Sequence, residues 1–375
     1  IDDNNHMVDL YSLGIAQRRA LMRKHLGIVH QNPRDGLRMK VSAGGNIAER
    51  LLDQGIRNYG NSYHVANANW SSIHSPITYQ MITTGENIPT DSYNHNDVYY
   101  NRKNSDSYTQ ALRNFHNLYV KKKLILGVSN PDEKLIDFAV GKAGDLSKWR
   151  SAGLKFVLGV DVAGDNIMNK RDGACARYLN DCRHYGKTNM PKCLFFVGDS
   201  GKNIRSTGDA FIHTNDRTYV KAVFGKGDKN PNELPPGVFR SYGIGETGFD
   251  VASCQFAIHY FFESEPILHQ FLRNVSECVR IGGYFIGTTY DGETIFRELK
   301  DRQVGDPWTI VQNRQKLAQI TKEYNETSLP NDENSIGMRI QVYQETINQT
   351  FPEYLVNFKY LQHLMELYGF VLATD

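Results

Sequence analysis

The sequence is poor in cysteine and has no long apolar run, and both shortages narrow what the chain can be. Its five cysteines, Cys175, Cys182, Cys193, Cys254 and Cys278, are scattered and none forms a C-x-x-C pair. A disulfide framework is excluded, and reduced thiols are expected. Cys175, Cys182, His184 and Cys193 lie close in sequence, but their spacing matches no common structural-zinc template, so no metal is expected. No stretch approaches the roughly 18 apolar residues of a spanning helix, and mean hydropathy is −0.50; no membrane partner is expected. A signal-peptide pattern is also missing. Charge of one sign is not in excess: 43 basic and 41 acidic residues leave a formal net charge of +2. That balance excludes a polybasic binder, so any nucleic-acid contact must be a local patch. Internal repeats and long low-complexity tracts are absent.

What is present is 375 residues, enough for one large α/β domain and a smaller piece. Residues Asp9 to Leu26 carry a loose helical period ended by Gly27. A Gly- and Asn-rich stretch runs to Asn69, followed by "WSSIHSPITYQMITTGENIP" and the loop-like "TDSYNHNDVYYNRKNSDS". Residues 1–95 therefore read as a connecting region or the tail of a preceding domain, and 96–375 as the main domain. The chain starts at Ile1 without an initiator methionine and ends at "YGFVLATD", which reads as the start of an unpaired strand. A fragment with a truncated C-terminus is the expectation.

From Ser107 onward helices and strands alternate. The pattern predicts a helix over Tyr108–Leu126, a buried strand at "KLIDFAV", a helix from Asp145 and a strand at "KFVLGVDV". A helix near Arg171–Tyr185, a strand "CLFFVGD" and a polar insertion from Gly201 to Gly245 follow. "FDVASCQF" (strand), "EPILHQFLRNVSECV" (helix) and "GGYFIGTT" (strand) complete the series. Such alternation predicts βαβ units in a mostly parallel sheet, with ligands at the carboxyl ends of the strands.

Three features stand at those ends. In "DFAVGKAGDLSKW", Asp137 closes a strand, Gly141 and Gly144 make a turn, and Asp145 opens a helix. Asp161 ends the next strand, where a carboxylate grips ribose hydroxyls. Asp199 follows "LFFVG", within reach of an adenine amine. A dinucleotide site would want G-x-G-x-x-G and a helix start free of acids. Here Ala139 replaces the first glycine, and Asp145 would repel a pyrophosphate but attract an ammonium or sulfonium. S-adenosylmethionine (AdoMet) is favoured over a dinucleotide.

Taken in order, "LRNFHNLYVKKKLI", "DFAVGKAGDLSKW", "DVASCQFAIHYFFES" and "GGYFIGTTYDG" resemble the mRNA cap (guanine-N7) methyltransferase family, from about Tyr100 to Phe358. The upstream "WSSIHSPITYQMITTGENIP" is similar to the region that joins guanylyltransferase to methyltransferase in capping enzymes of large cytoplasmic DNA viruses. The resemblance implies a class I, Rossmann-like AdoMet-dependent methyltransferase fold, with S-adenosylhomocysteine as product and the GpppN end of capped RNA as substrate. It further implies upstream capping domains in the same polypeptide, residues 1–95 being the guanylyltransferase-like tail, and raises the question of a stimulatory subunit. The implied setting is the cytoplasm, including a virion or viral factory, or else the nucleus. The alternative function is a cap- or RNA-binding module whose methyltransferase activity is lost or partner-dependent.

The same resemblance implies residue roles. Asn117 matches a cap-proximal asparagine, and Lys121 or Lys122 a lysine that meets the AdoMet carboxylate. Asp137, Gly141, Lys142, Gly144 and Asp145 match the glycine turn, although Ala139, Val140 and Ala143 depart from its glycines. Gln255 and Phe256 fall on the cofactor side, His259 and Tyr260 on the guanine. Glu345 matches the cap-binding glutamate when counted forward from Gly337; counting back from Pro352 reaches Thr346. An acid suits the role, because a carboxylate accepts from guanine N1–H and the exocyclic amine. Guanine N7 has a free lone pair and no proton to lose, so no acid/base residue is expected and His259 reads as a binding residue. Arg113, Lys121 to Lys123, Lys202 and Arg205 are candidate phosphate contacts, with a solvated surface as the plain alternative for each.

Overall fold

The computed structural model describes residues 109–206 and 208–373. The proposed connecting region 1–95, its loose helix at Asp9–Leu26 and the boundary at 96 lie outside the described residues. Five parallel strands form the main sheet: β1 Lys134–Asp137, β2 Phe156–Asp161, β3 Lys192–Val197, β4 Phe249–Gln255 and β5 Val279–Thr288. Their order is β3-β2-β1-β4-β5. Helix α1 (Gln110–Asn114) runs through a π-helical stretch, Phe115–Val120, into α2 (Lys121–Val128). Next come α3 (Leu146–Ser151), α4 (Gly164–Met168), α5 (Ala174–Tyr185), α6 (Thr214–Val223), α7 (Pro236–Arg240), α8 (Ile258–Phe261) and α9 (Glu265–Cys278).

The strands read as nearly unbroken apolar runs because both faces of the sheet are covered. Successive residues alternate between two cores, as the period of two requires. Ile136, Phe156, Leu158, Leu194, Phe196 and Ala252 enter one core with α6, α9 and a C-terminal helix, α11 (Phe358–Leu367). Leu135, Val157, Cys193, Phe195 and Val251 enter the other with α2, α3, α4 and α5. This is the doubly wound arrangement that the alternation of elements predicts.

After β5, α10 (Gly292–Leu299) packs on a four-stranded antiparallel sheet, β6 (Pro307–Gln312), β7 (Gln315–Lys322), β8 (Arg339–Gln344) and β9 (Gln349–Tyr354). Ile295, Phe296 and Leu299 from the helix meet Ile340, Val342 and Leu355 in a third, smaller core.

Two expectations change. The insertion from Gly201 to Gly245 is not merely polar: Phe211, Tyr219, Val220, Val223, Phe224, Leu234 and Val238 are buried in the first core. Tyr219, Val220, Val223 and Phe224 recur at helical spacing, a signal diluted by the charged residues around them. The terminal "FVLA" forms no strand among the described residues.

Candidate functional site

The strand order reverses between β1 and β4, and the carboxyl ends of these strands open the crevice where such sheets hold ligands. "KLIDFAV" leaves the sheet at Asp137: the Phe138 amide still donates to the Ser253 carbonyl, and Val140 to that of Val160. The chain then turns through left-handed conformations at Gly141 (φ 54°) and Ala143 (φ 52°). A Cβ on Gly144 would meet nothing within 4 Å, so bare backbone faces open space there.

Asp137 is buried, and its Oδ1 accepts from the Ala139 amide at 3.1 Å. Burial and the neighbouring Asp145 carboxylate push it up to about 7. Asp145 lies at the start of α3 but makes no capping bond. Its carboxylate instead pairs with Lys148 at 2.7 Å and Lys121 at 3.3 Å. Burial alone would raise its pKa, but the Lys121 and Lys148 ammonium groups outweigh that and hold it below the usual range. The Lys121 ammonium also lies 5.9 Å from the centroid of the Phe256 ring. Lys122 and Lys123 are exposed, so Lys121 is the lysine that the helix turns inward.

Asp161 is buried and accepts from three donors: the Gly141 amide (2.7 Å), the Ala163 amide (3.0 Å) and Asn166 Nδ2 (3.0 Å). A carboxylate has about four acceptor sites, so roughly one is left for a ligand. Burial raises its pKa, against these bonds. Asp199 is more open, accepting from the Gly201 amide at 2.8 Å and pairing with Lys202 at 3.1 Å.

Across the crevice, buried Gln255 accepts from the Thr288 hydroxyl at 3.1 Å. Phe256 has φ 57°, a left-handed conformation costing on the order of 1–3 kcal/mol for a bulky residue. Its amide is held by the carbonyl (2.9 Å) and the hydroxyl (3.1 Å) of Thr288, and its ring meets His116 edge-on at 5.0 Å. Asn117 is half-buried in the π-helical stretch, four residues before Lys121.

His259 and Tyr260 lie on the short α8, with ring centroids 4.4 Å apart. The sequence reading paired them with Glu345, and here the structure differs. Glu345 lies just beyond β8, where it accepts from Thr109 (2.9 Å) and Gln315 (3.3 Å). The acid brought to His259 and Tyr260 is Glu353 of β9, whose neighbour Pro352 served as one counting anchor. Glu353 is buried, its Oε2 lies 3.5 Å from His259 Nε2, and Tyr260 donates to its Oε1 at 3.5 Å. Burial pushes His259 down to about 3 and Glu353 up to about 8, so both are neutral near pH 7. His259 Nδ1 meets the Thr289 hydroxyl at 3.4 Å, and Tyr290 stacks on the His259 ring at 5.4 Å. Glu353, Tyr290 and Thr288 were missed from sequence. The available signal was Glu353 itself, a lone acid in the apolar run "FPEYLV".

Arg205 is also corrected. Its guanidinium donates to the Glu277 and Glu246 carbonyls, both at 2.7 Å, and covers the Phe224 ring at 4.8 Å. It ties the insertion to the end of α9 and is not presented to a phosphate. Cys175, Cys182 and Cys193 pack in the second core, and burial raises all three thiols. Among the described residues, no three His, Cys, Asp or Glu side chains are grouped to hold a metal, and no helix is long and apolar enough to cross a membrane.

Comparison with known proteins gives this geometry a family. The probable mRNA-capping enzyme of Acanthamoeba polyphaga mimivirus is 27% identical over 325 residues, covering 80% of this chain and 26% of that protein. The mRNA cap guanine-N(7) methyltransferase of Aspergillus niger is 30% identical over 288 residues, 72% of this chain and 43% of the relative. That of Caenorhabditis elegans is 30% identical over 265 residues, 68% and 57%. The chain thus spans 26% to 57% of the length of these relatives. A profile of the mRNA (guanine-N(7))-methyltransferase domain matches residues 83–375, more than half of the sequence, and the chain belongs to that family.

Proposed function

We propose that this chain transfers a methyl group from AdoMet to N7 of the guanosine cap of mRNA. The observation that carries the reading is the convergence of Glu353, His259 and Tyr260 beside the cofactor crevice. Guanine presents N1–H and an exocyclic amine on one edge, and Glu353, neutral in the free protein near pH 7, can accept from both once it gives up its proton on binding.

The residues present fit AdoMet. Gly144 presents open backbone, and Lys121 with Asp137 and Asp145 offers one cation and two acids to an amino-acid zwitterion. Asp161 retains an acceptor site for a ribose hydroxyl, and Asp199 is open towards an adenine amine. When bound, AdoMet supplies a methyl carbon made electrophilic by its sulfonium sulfur. Gln255 and Phe256 fix the wall between the two ligands, since the Phe256 backbone is held twice by Thr288.

The chain's own contribution is position and electrostatics. Holding the guanine with N7 aimed at the methyl carbon removes the entropic cost of the encounter. The purine gains positive charge as N7 is alkylated, which the ionised Glu353 and the Tyr260 ring face favour. His259, pushed down to about 3, stays neutral and so adds no opposing positive charge. No residue needs to move a proton at N7.

The decisive experiment uses methyl-labelled AdoMet with RNA ending in GpppN, N7-methylated GpppN or a bare triphosphate. Label is expected only on the unmethylated cap. Label on the pre-methylated cap would move the chemistry to ribose and defeat the proposal.

The mimivirus relative supports a setting in a larger viral capping polypeptide, for which we propose a cytoplasmic location. On this reading residues 1–95 connect the methyltransferase domain to a preceding capping domain, and a stimulatory subunit would reveal itself by raising the rate on GpppN RNA.

Acid at the crevice gives a pH signature. An ammonium binds the ionised form of Asp137, whose pKa is raised to about 7. AdoMet affinity is therefore expected to climb as pH rises towards 7, by up to about tenfold per unit, and to level off above it. Calorimetry across that range reads the effect, and a flat profile would remove Asp137 from ammonium binding.

A further inference from the structure

The helical run α1–π–α2 carries an apolar stripe that the folded domain leaves uncovered. Leu112 is 57% exposed, Phe115 51%, Leu118 65% and Tyr119 59%. Phe115 and Tyr119 stack on each other, with centroids 5.5 Å apart and planes 20° from parallel. Lys122 follows Leu118 by four residues and Lys123 follows Tyr119 by four, so both cations continue the same helical face. Between Thr109 and Val128 the sequence contains Arg113 and Lys121 to Lys123 but no Asp or Glu. In a chain with a net charge of only +2, this is the kind of local patch that nucleic-acid contact requires. The patch is also continuous with the site: His116 meets the Phe256 ring edge-on, and Lys121 lies over the same ring.

Exposed stacked aromatics beside unopposed cations suit unpaired nucleotides, whose bases stack on rings and whose phosphates meet lysines. We infer that Phe115 and Tyr119, with Lys122 and Lys123, form a platform for the first transcribed nucleotides of the capped RNA. This rests on the reading that capped RNA is the substrate. The platform would make the protein prefer capped RNA over the bare cap dinucleotide GpppG without altering the methyl-transfer step. A protein partner would also use apolar and aromatic area, but the cations of a stretch that carries no Asp or Glu of its own favour a polyanion.

The test compares KM and kcat on GpppG and on a short capped RNA carrying 2-aminopurine at its first transcribed position. In the Phe115→Leu/Tyr119→Leu double variant, KM for capped RNA should rise roughly tenfold. Quenching of 2-aminopurine on binding should vanish, while KM and kcat on GpppG stay as in the wild type. The Phe115→Tyr/Tyr119→Phe variant should restore both RNA readouts, because it keeps the rings. Lys122→Gln/Lys123→Gln should flatten the salt dependence of capped-RNA KM by about 0.7 log units per log unit of salt for each lysine. Methylation of GpppG together with unchanged quenching and RNA KM in the leucine variant would overturn the inference alone and leave the stripe as a protein-facing surface. If the wild-type protein methylates neither GpppG nor capped RNA, the inference falls with the reading beneath it.

Discussion

Glu353→Gln is expected to lower methyl transfer to GpppN RNA by roughly a hundredfold while making the protein more stable at neutral pH. The loss comes from replacing two charge-assisted hydrogen bonds, worth about 1.5–3 kcal/mol each, by an amide that brings its own donors against guanine N–H groups. Part of that gain is already offset in the wild type. Glu353 is pushed up to about 8 and must release a proton to accept from guanine, which costs about 1.4 kcal/mol at pH 7. Wild-type cap affinity should accordingly rise with pH up to about 8, and the variant's should not. Stability moves the other way. The unfolded carboxyl, near 4.5, is ionised at pH 7, whereas the folded one is protonated. Folding therefore takes up a proton, and wild-type stability falls as pH rises from 4.5 towards 8, by up to about 1.4 kcal/mol per unit. Glutamine mimics the neutral acid and escapes this penalty. The two proteins should melt together near pH 4.5 and separate by roughly 3 kcal/mol near pH 7. His259 contributes with the opposite sign in both proteins and drops out of the difference. Glu345→Gln, on the partly exposed turn beyond β8, should stay within about twofold in activity. Melting curves that remain parallel across pH, or an inactive Glu345→Gln, would refute the assignment.

Sequence locates features whose parts are local, and Glu353 is not one of them. The candidate cofactor turn is legible as a turn because each of its parts is local: Asp137, Gly141, Gly144 and Asp145 lie within nine residues of one another, and the β2 acid follows at a regular distance. "QFAIHYFFES" was legible for the same reason. Glu353 reaches the site from a different sheet, and its register depends on the turn between β8 and β9, where one count led to Glu345 and the other to Thr346. Counting across a turn of unknown length cannot fix a side chain, whereas the pairing of β9 with β8 does, with Glu353 opposite Ile340. Burial could not be read either. Arg205 has the composition of a phosphate contact, and only its bonds to the Glu246 and Glu277 carbonyls show that it is spent inside the fold. The insertion failed differently: its buried residues follow helical spacing, but a segment-wide count of polar residues concealed them.

Lys121→Met should weaken AdoMet binding by roughly 10- to 100-fold, the loss of one charge-assisted contact to a carboxylate of about 1.5–3 kcal/mol, whereas Lys122→Met should leave it unchanged. Sequence allowed either lysine; the helix turns Lys121 inward, within 3.3 Å of Asp145, and leaves Lys122 in solvent. The fold should tolerate the change, because Asp145 keeps Lys148 at 2.7 Å. Asp145→Asn is a different lesion. It would take the carboxylate away from the buried Lys148, and breaking a buried pair by removing one partner costs about 3–5 kcal/mol. Calorimetric affinity and thermal melting together separate these cases. Lys121→Met should lose affinity with little change in melting, and Asp145→Asn should lose both. A Lys122→Met protein as weak as Lys121→Met would mean that the helix presents the other lysine to the ligand. Unchanged affinity in Lys121→Met would show that this ion pair holds α2 against α3 and takes no part in binding, and the cofactor's carboxylate would have to be met elsewhere in the crevice.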